Sequence, residues 1–158
     1  MKHSFLDRPI IIAPKFPAKQ LNHSFKLNAK IKLFKQKLLR GYDLSIFQKR
    51  GNGLKTIMDK TGRLNDLSGI YVISSATGEP LILSSSKKVL ADIQQLARAK
   101  RAKDKEALEK VANYYGFASY KMGRELLLGM KVNWLEVTDK SFLLMIKRAM
   151  LAEVKFVL

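Results

Sequence analysis

Thirty of the 158 residues are Lys or Arg, against 13 Asp or Glu and two His, so the formal net charge is +17. The chemistry that such side chains offer is neutralisation of phosphate, because a cationic surface that displaces counterions from a polyanion gains affinity without recognising a base. Lys outnumbers Arg 22 to 8, which favours phosphate contact over bidentate recognition of guanine. The candidate nucleic-acid contacts are the basic residues of three runs, with one tyrosine that cations flank: Lys26, Lys30, Lys35, Lys37, Arg40, Lys49, Arg50, Arg98, Lys100, Arg101, Lys103 and Tyr120.

Few residues are suited to catalysis. The chain has no Cys, which excludes disulfides, thiolate nucleophiles and Cys-based zinc sites. Its two imidazoles, His3 and His23, both lie near the N-terminus, and no Ser/His/Asp set or carboxylate pair emerges. Gly51-Asn52-Gly53 could present backbone amides to a phosphate or be an ordinary loop, and it lacks the spacing and ending of a Walker loop. We expect no metal, no cofactor and no enzymatic activity.

The charge is unevenly distributed along the chain. Residues 1–63 hold 15 Lys or Arg against 3 Asp, a net charge of +12, whereas residues 64–158 hold 15 against 10, a net charge of +5. This asymmetry predicts a basic N-terminal extension over 1–63, a domain over 64–158 and a polyanionic partner. Because no apolar run is long enough to span a membrane, we expect no membrane partner. The absence of Cys means that the protein does not depend on disulfides, and we expect an intracellular location, in the cytoplasm or an organelle matrix.

The first 63 residues divide into three stretches that would carry these cations. Residues 1–25, with Pro9, Pro14 and Pro17, are predicted to form an extended arm. From 27 to 40 the apolar residues Leu27, Ile31, Phe34 and Leu38 share one face of an amphipathic helix, with Asn28 as a possible cap and Gly41 as its stop. Residues 42–63 are interpreted as turn-rich.

The remaining residues predict an α+β fold, a small sheet flanked by helices. Residues 69–74 and 81–83 form a β-hairpin around the turn cluster 77–80, and three serines, 84–86, are possible N-caps for a helix that begins near Lys87. That helix reaches to about Ala102, a second helix follows Asp104, and a short helix is predicted over 119–128. A strand at 132–137 and a final helix capped by Asp139 complete the order.

This order of elements, opened by Gly69-Ile70-Tyr71, resembles the GIY-YIG nuclease domain over about residues 64–158. The resemblance implies a first-motif tyrosine at Tyr71, a second-motif tyrosine, a helical arginine and a metal-binding glutamate around a scissile phosphate. Tyr71 matches that pattern. The second motif here is Leu81-Ile82-Leu83. The arginine position falls near Ala91-Asp92 and the glutamate position near Ile146-Lys147, and Arg98 and Glu153 are displaced from them by about two turns. The resemblance therefore implies a degenerate, inactive site.

Three functions follow from these observations. The first is a non-catalytic RNA-binding component of a ribonucleoprotein particle, such as a ribosomal protein of the cytoplasm or of an organelle like the mitochondrion, with rRNA and neighbouring proteins as partners. The alternatives are a GIY-YIG-type DNA endonuclease, with Arg98 and Glu153 replacing the missing groups, and a DNA-binding module derived from such an enzyme. We favour the first, because it accounts for both the cationic extension and the missing catalytic residues.

Overall fold

The computed structural model describes residues 18–37, 41–153 and 156. These residues form an α+β fold, which confirms the predicted class. In chain order the elements are α1 Ala18–Lys37, β1 Tyr42–Asp43, α2 Ser45–Gln48, α3 Leu54–Lys60, β2 Gly69–Ser74, β3 Pro80–Ser86, α4 Val89–Ala97, α5 Ala102–Tyr114, α6 Tyr120–Leu126, a 3₁₀ turn Leu127–Gly129, β4 Lys131–Glu136 and α7 Lys140–Glu153.

The sheet has the strand order β1-β4-β2-β3, with every neighbouring pair antiparallel. The predicted hairpin and late strand provide three of its strands. The fourth, β1, comes from the stretch interpreted as turns and pairs with Val132 and Lys131 of β4. Gly41 lies directly before β1, where a Cβ would come 2.6 Å from the carbonyl oxygen of Val132. Close approach to β4 therefore requires glycine at this position. The predicted stop of the first helix at Gly41 stays a prediction, because residues 38–40 lie outside the described residues.

Strand β2 is the centre of the molecule, since all six of its residues are buried. On one face, Tyr71 and Ile73 pack into a core formed with α2, α3, α4, α5 and the 3₁₀ turn. On the other face, Ile70 and Val72 pack into a second core formed with α1 and α7. The sheet thus lies between two layers of helices, which present different surfaces to solvent.

Helix α1 differs from its prediction at its start. It begins at Ala18, so residues 18–25 are helical instead of extended, and Asn28 lies inside the helix instead of capping it. The predicted apolar stripe is confirmed at Leu27, Ile31 and Phe34, which are buried against α7 and the sheet. Its last member, Leu38, lies outside the described residues, as do residues 1–17 of the predicted arm. Within the described part of the chain, no helix combines the length and apolar content needed to cross a bilayer.

The predicted division at residue 63 does not coincide with a boundary between cores. Leu44, Phe47 and Ile57 are fully buried in the same core as Tyr71 and Ile73. Residues of 42–60 therefore share a core with residues of the predicted domain over 64–158.

Helix α4 begins differently from the prediction, although its predicted apolar face is buried. Residues 84–86 continue β3, so they do not form the cap. Instead, the carboxylate of Asp66 accepts hydrogen bonds from the backbone amides of Leu90 (2.8 Å) and Ala91 (3.1 Å). A side chain 24 residues earlier thus satisfies amides that the first turn of a helix leaves without partners.

Two glycines allow the backbone contacts that join these elements. A Cβ on Gly69 would lie 2.0 Å from the carbonyl oxygen of Leu135 in β4, and one on Gly123 of α6 would lie 2.0 Å from that of Leu108 in α5. Both distances are far below van der Waals contact, so neither position accommodates any other residue without movement of the backbone.

Candidate nucleic-acid interface

The loop between α2 and α3, residues 49–53, is attached to the end of α4 by the side chains of Arg98 and Gln94. The guanidinium of Arg98 donates from Nε to the carbonyl of Phe47 (3.0 Å) and from Nη2 to those of Lys49 (3.1 Å) and Asn52 (2.7 Å). Gln94, one turn earlier, also donates to the Asn52 carbonyl (3.0 Å). Arg98 follows α4 directly, so its planar fork reaches three carbonyls that converge on one point.

Two grooves lie beside this loop, one next to Lys49 and the other next to Arg98, which binds the loop carbonyls. One is lined by Ser45, Ile46, Gln48, Lys49, Lys60, Arg124, Glu125 and Leu128. The other is lined by Gln94, Gln95, Arg98, Lys100 and Arg101. Six of these lining residues are basic and one, Glu125, is acidic. The exposed side chain of Arg50 belongs to the same loop, so the structure brings together five of the predicted contacts: Lys49, Arg50, Arg98, Lys100 and Arg101.

The amides of the Gly51-Asn52-Gly53 segment are engaged within the loop itself. Asn52 N donates to the carbonyl of Lys49 (3.2 Å) and Gly53 N to that of Gly51 (3.1 Å), while Asn52 Nδ2 donates to the Ile46 carbonyl (2.8 Å). Gly51 has φ +86°, in the left-handed region that favours glycine. The amides of Asn52 and Gly53 are thus engaged inside the protein, which favours the ordinary loop over a phosphate cradle, and the cations of the loop extend from a hydrogen-bonded backbone.

Arg101 lies in a basic run of the sequence, but in the structure two carboxylates neutralise its charge. Its Nη1 lies 2.7 Å from Asp92 Oδ1, and its Nε and Nη2 each lie 2.7 Å from oxygens of Asp104, which is buried. Lys103 Nζ is 4.0 Å from the same Asp92 oxygen. Two cations thus face two carboxylates, so this part of the run contributes little net charge to the surface.

Tyr71 forms the inner end of the same network. Its hydroxyl donates to Asp92 Oδ2 (2.7 Å), and its side chain is 2% exposed. Burial, the charge of Asp92 and the hydrogen bond to it raise the pKa of Tyr71 far above its usual value near 10. A phenol in this environment stays protonated, which is unfavourable for a nucleophile or a general base.

Other positions implied by the nuclease resemblance lie apart from Tyr71 or carry unsuitable side chains. Leu81 and Ile82 are buried apolar residues of β3. Ile146 is fully buried with Ile70 and Val72, across the sheet from Tyr71. Arg98 binds loop carbonyls, and the side chain of Glu153 lies outside the described residues. In the described ranges, no group of three or more His, Asp or Glu side chains is placed to hold a metal ion.

The predicted contacts on α1 lie in the other helical layer. Lys26 is exposed, and Lys30 is half-buried with Nζ 5.5 Å from the centre of the Phe142 ring. The side chains of Lys35 and Lys37, and all of Arg40, lie outside the described residues. What the sequence suggests as one set of contacts is therefore divided between two sides of the sheet.

Tyr120 is half-buried and packs against the core of the α2–α5 layer. Lys105 Nζ lies 5.4 Å from the centre of its ring. The ring is therefore already in contact with both the core and a cation, which leaves less of it for stacking on a base.

Lys60 and Arg124 were missed as site residues. Each is a single cation separated in sequence from the basic runs. Gln48 Nε2 donates to the carbonyl of Arg124 (2.8 Å), which joins α6 to α2 across 76 positions. Neither the local charge nor the hydrophobic periodicity of the sequence can predict a contact between residues so far apart in the chain.

No protein-family model matches this chain, and no match was found among the curated proteins or the solved structures. The resemblance to the GIY-YIG domain therefore stays a prediction, based on the tripeptide and the order of elements.

Proposed function

We propose that this protein is a non-catalytic RNA-binding component of a ribonucleoprotein particle, such as a ribosome, and that it binds RNA through phosphate contacts. The observation that carries the proposal is the pair of grooves beside the α2–α3 loop, which are lined by six basic side chains and one acid. Because Asp92 and Asp104 neutralise Arg101, the positive charge comes from the other five cations, Lys49, Lys60, Arg98, Lys100 and Arg124. A cluster of this kind concentrates positive potential at one place.

The rigidity of the loop adds to this support. Because Arg98 and Gln94 bind carbonyls of the loop 49–53, the backbone that carries Lys49 and Arg50 is in place before any ligand binds, although their side chains stay exposed. Preorganised cations lose less conformational entropy on binding than cations of a mobile segment. The side chains of Lys49, Arg50, Lys60, Lys100 and Arg124 are exposed, as contacts with phosphates require.

A structural role is favoured over catalysis by the state of Tyr71. Its hydroxyl is buried and donates to a carboxylate, and its raised pKa opposes ionisation. The polar groups that act on this hydroxyl are Asp92, Ser84 and, through Asp92, Arg101. These side chains satisfy one another within the fold.

The test is a salt titration of binding to a labelled 12-base-pair RNA duplex, with the DNA duplex of the same sequence as competitor. The groove variant carries Lys49→Gln, Lys60→Gln, Lys100→Gln and Arg124→Gln. A control variant loses the same charge at four other exposed lysines, namely 87, 88, 105 and 110. We expect the slope of log affinity against log salt to fall by about one for each contact removed in the groove variant, and to change less in the control.

Three outcomes would contradict the proposal. Equal loss in the groove and control variants would mean diffuse charge attraction without a defined interface. Stronger binding to DNA than to RNA would favour a DNA-binding module. Cleavage of either duplex in the presence of magnesium would restore the nuclease hypothesis.

A further inference from the structure

The helical layer formed by α1 and α7 has its own basic surface, separate from the grooves at the α2–α3 loop. Helix α1 has no acidic residue in its 20 positions. Among the described side chains of the two helices and the residue before α7, one acid, Asp139, accompanies six cations: Lys26, Lys30, Lys32, Lys140, Lys147 and Arg148. Asp139 Oδ1 accepts from the amide of Phe142 (2.8 Å), as an N-cap.

This surface and the grooves lie on opposite sides of the sheet. The residues that anchor α1 and α7 pack on Ile70 and Val72, whereas those that anchor α2 to α5 pack on Tyr71 and Ile73. Adjacent residues of one strand point to opposite faces. Two layers of helices, each about 10 Å thick, and the sheet therefore separate the two sets of cations, and a short duplex that occupies one set cannot reach the other.

We infer that the protein bridges two nucleic-acid segments, one at the grooves and one on the α1/α7 surface. This inference rests on the proposed function. Four exposed cations of the α1/α7 surface, Lys26, Lys32, Lys140 and Arg148, correspond in number to those of the grooves, so each side can neutralise several phosphates. A protein with basic surfaces on two opposite sides can hold two RNA segments together. A protein with one basic surface cannot do this alone.

The experiment uses the full chain with two 12-base-pair RNA duplexes that carry a donor and an acceptor dye. Energy transfer reports bridging, and sedimentation measures the mass of the complex. We expect a single chain to bind two duplexes. The groove variant defined above and an α1/α7 variant with Lys26→Gln, Lys32→Gln, Lys140→Gln and Arg148→Gln each lose four charges. Each of these variants should bind one duplex. Its energy-transfer signal should be at least about tenfold lower than that of the wild type, because several phosphate contacts are lost.

The control variant, which loses the lysines at 87, 88, 105 and 110, should still bind two duplexes and keep the energy-transfer signal. One duplex per wild-type chain, with competition between the two dyes, would refute bridging and leave RNA binding intact. No salt-dependent binding to any duplex would instead refute the proposed function itself.

A lipid surface is the other ligand that this layer could accept, because Leu33, Leu144 and Leu151 are 44%, 49% and 51% exposed beside the cations. The same two variants are therefore mixed with vesicles that contain phosphatidylserine. If the α1/α7 variant kept the transfer signal and lost vesicle binding, the surface would be lipid-facing and the bridging inference would be wrong.

Discussion

Arg98 offers the sharpest test of how this fold uses its cations. In sequence it begins a basic run and is a candidate RNA contact, yet its guanidinium donates three hydrogen bonds to the carbonyls of Phe47, Lys49 and Asn52. We predict that Arg98→Gln lowers the stability of the protein, because the shorter neutral side chain cannot span these acceptors. Lys100→Gln is the matched control, since it removes the same charge two residues away from an exposed position.

The size of the effect follows from the three bonds. A hydrogen bond from a charged donor contributes about 1.5–3 kcal/mol, but Arg98 is half-buried and water can replace part of what is lost. We therefore expect a loss of about 2–3 kcal/mol in the free energy of unfolding, below the sum of three separate bonds. For a chain of this length each kcal/mol lowers the melting temperature by about 2–4 °C, so the expected decrease is about 4–12 °C.

Urea unfolding followed by circular dichroism, with a thermal melt as a second measure, tests this value. The control Lys100→Gln should remain within about 0.5 kcal/mol of the wild type, as surface substitutions usually do. If Arg98→Gln were equally neutral, the hydrogen bonds would not stabilise the loop, and the argument for preorganised cations at 49–53 would fail.

Three further substitutions test other parts of the fold by urea unfolding. The tyrosine of the unfolded chain ionises near pH 10, whereas the buried Tyr71 ionises only at higher pH. Its ionisation in the unfolded state should therefore lower the free energy of unfolding of the wild type by about 1.4 kcal/mol per pH unit above pH 10. Tyr71→Phe should lack this decrease, and equal pH slopes of the two proteins between about pH 9 and 11 would contradict the prediction. Asp66→Ala should cost about 1–2 kcal/mol through loss of the α4 cap, whereas an unchanged midpoint would mean that water replaces the carboxylate. Gly69→Ala should lower the free energy of unfolding by about 3 kcal/mol or more, because the new Cβ overpacks against Leu135. Gly129→Ala is the control and should be nearly neutral, since no atom lies within 4 Å of its new Cβ. Similar losses of stability in the two variants would refute the steric explanation.

The elements that sequence predicted well are those whose signals are local. Strand β2 has the predicted bounds, and α5 ends before Gly116, whose φ of +84° is left-handed. The N-cap of α7 at Asp139 was also predicted, because a short acidic side chain before an apolar stripe is a local pattern. Each of these features depends on residues within about one turn of one another.

The features that sequence missed depend on distant partners. Strand β1 has two residues, too few for any alternation, and it exists because Val132 and Lys131 pair with it 90 positions later. The cap of α4 is Asp66 instead of the nearby serines, since β3 extends through Ser86. Helical periodicity identified the buried side of α1 but could not show which face of the sheet it covers, so the division of the cations between two surfaces was not predictable.

The basic residues show the same limit most clearly at the end of α4. Arg98 and Arg101 are three positions apart and look equivalent in sequence. One binds carbonyls about 50 residues earlier, and the other pairs with Asp92 and Asp104. Charge composition predicts how many cations a chain carries, whereas tertiary contacts decide which of them remain available to a phosphate.

The tripeptide Gly69-Ile70-Tyr71 has an explanation in this fold that does not involve chemistry. Gly69 is required by the approach of β4 to within 2.0 Å of where a Cβ would lie. Ile70 fills the core beneath α1 and α7, and Tyr71 fills the opposite core while its hydroxyl reaches Asp92. Because packing on both faces of a central strand accounts for all three residues, their presence alone does not argue for nuclease activity. A functional argument has to come from the groups around Tyr71, and in this chain those groups are engaged with one another, while the cations that remain exposed suit a phosphate backbone.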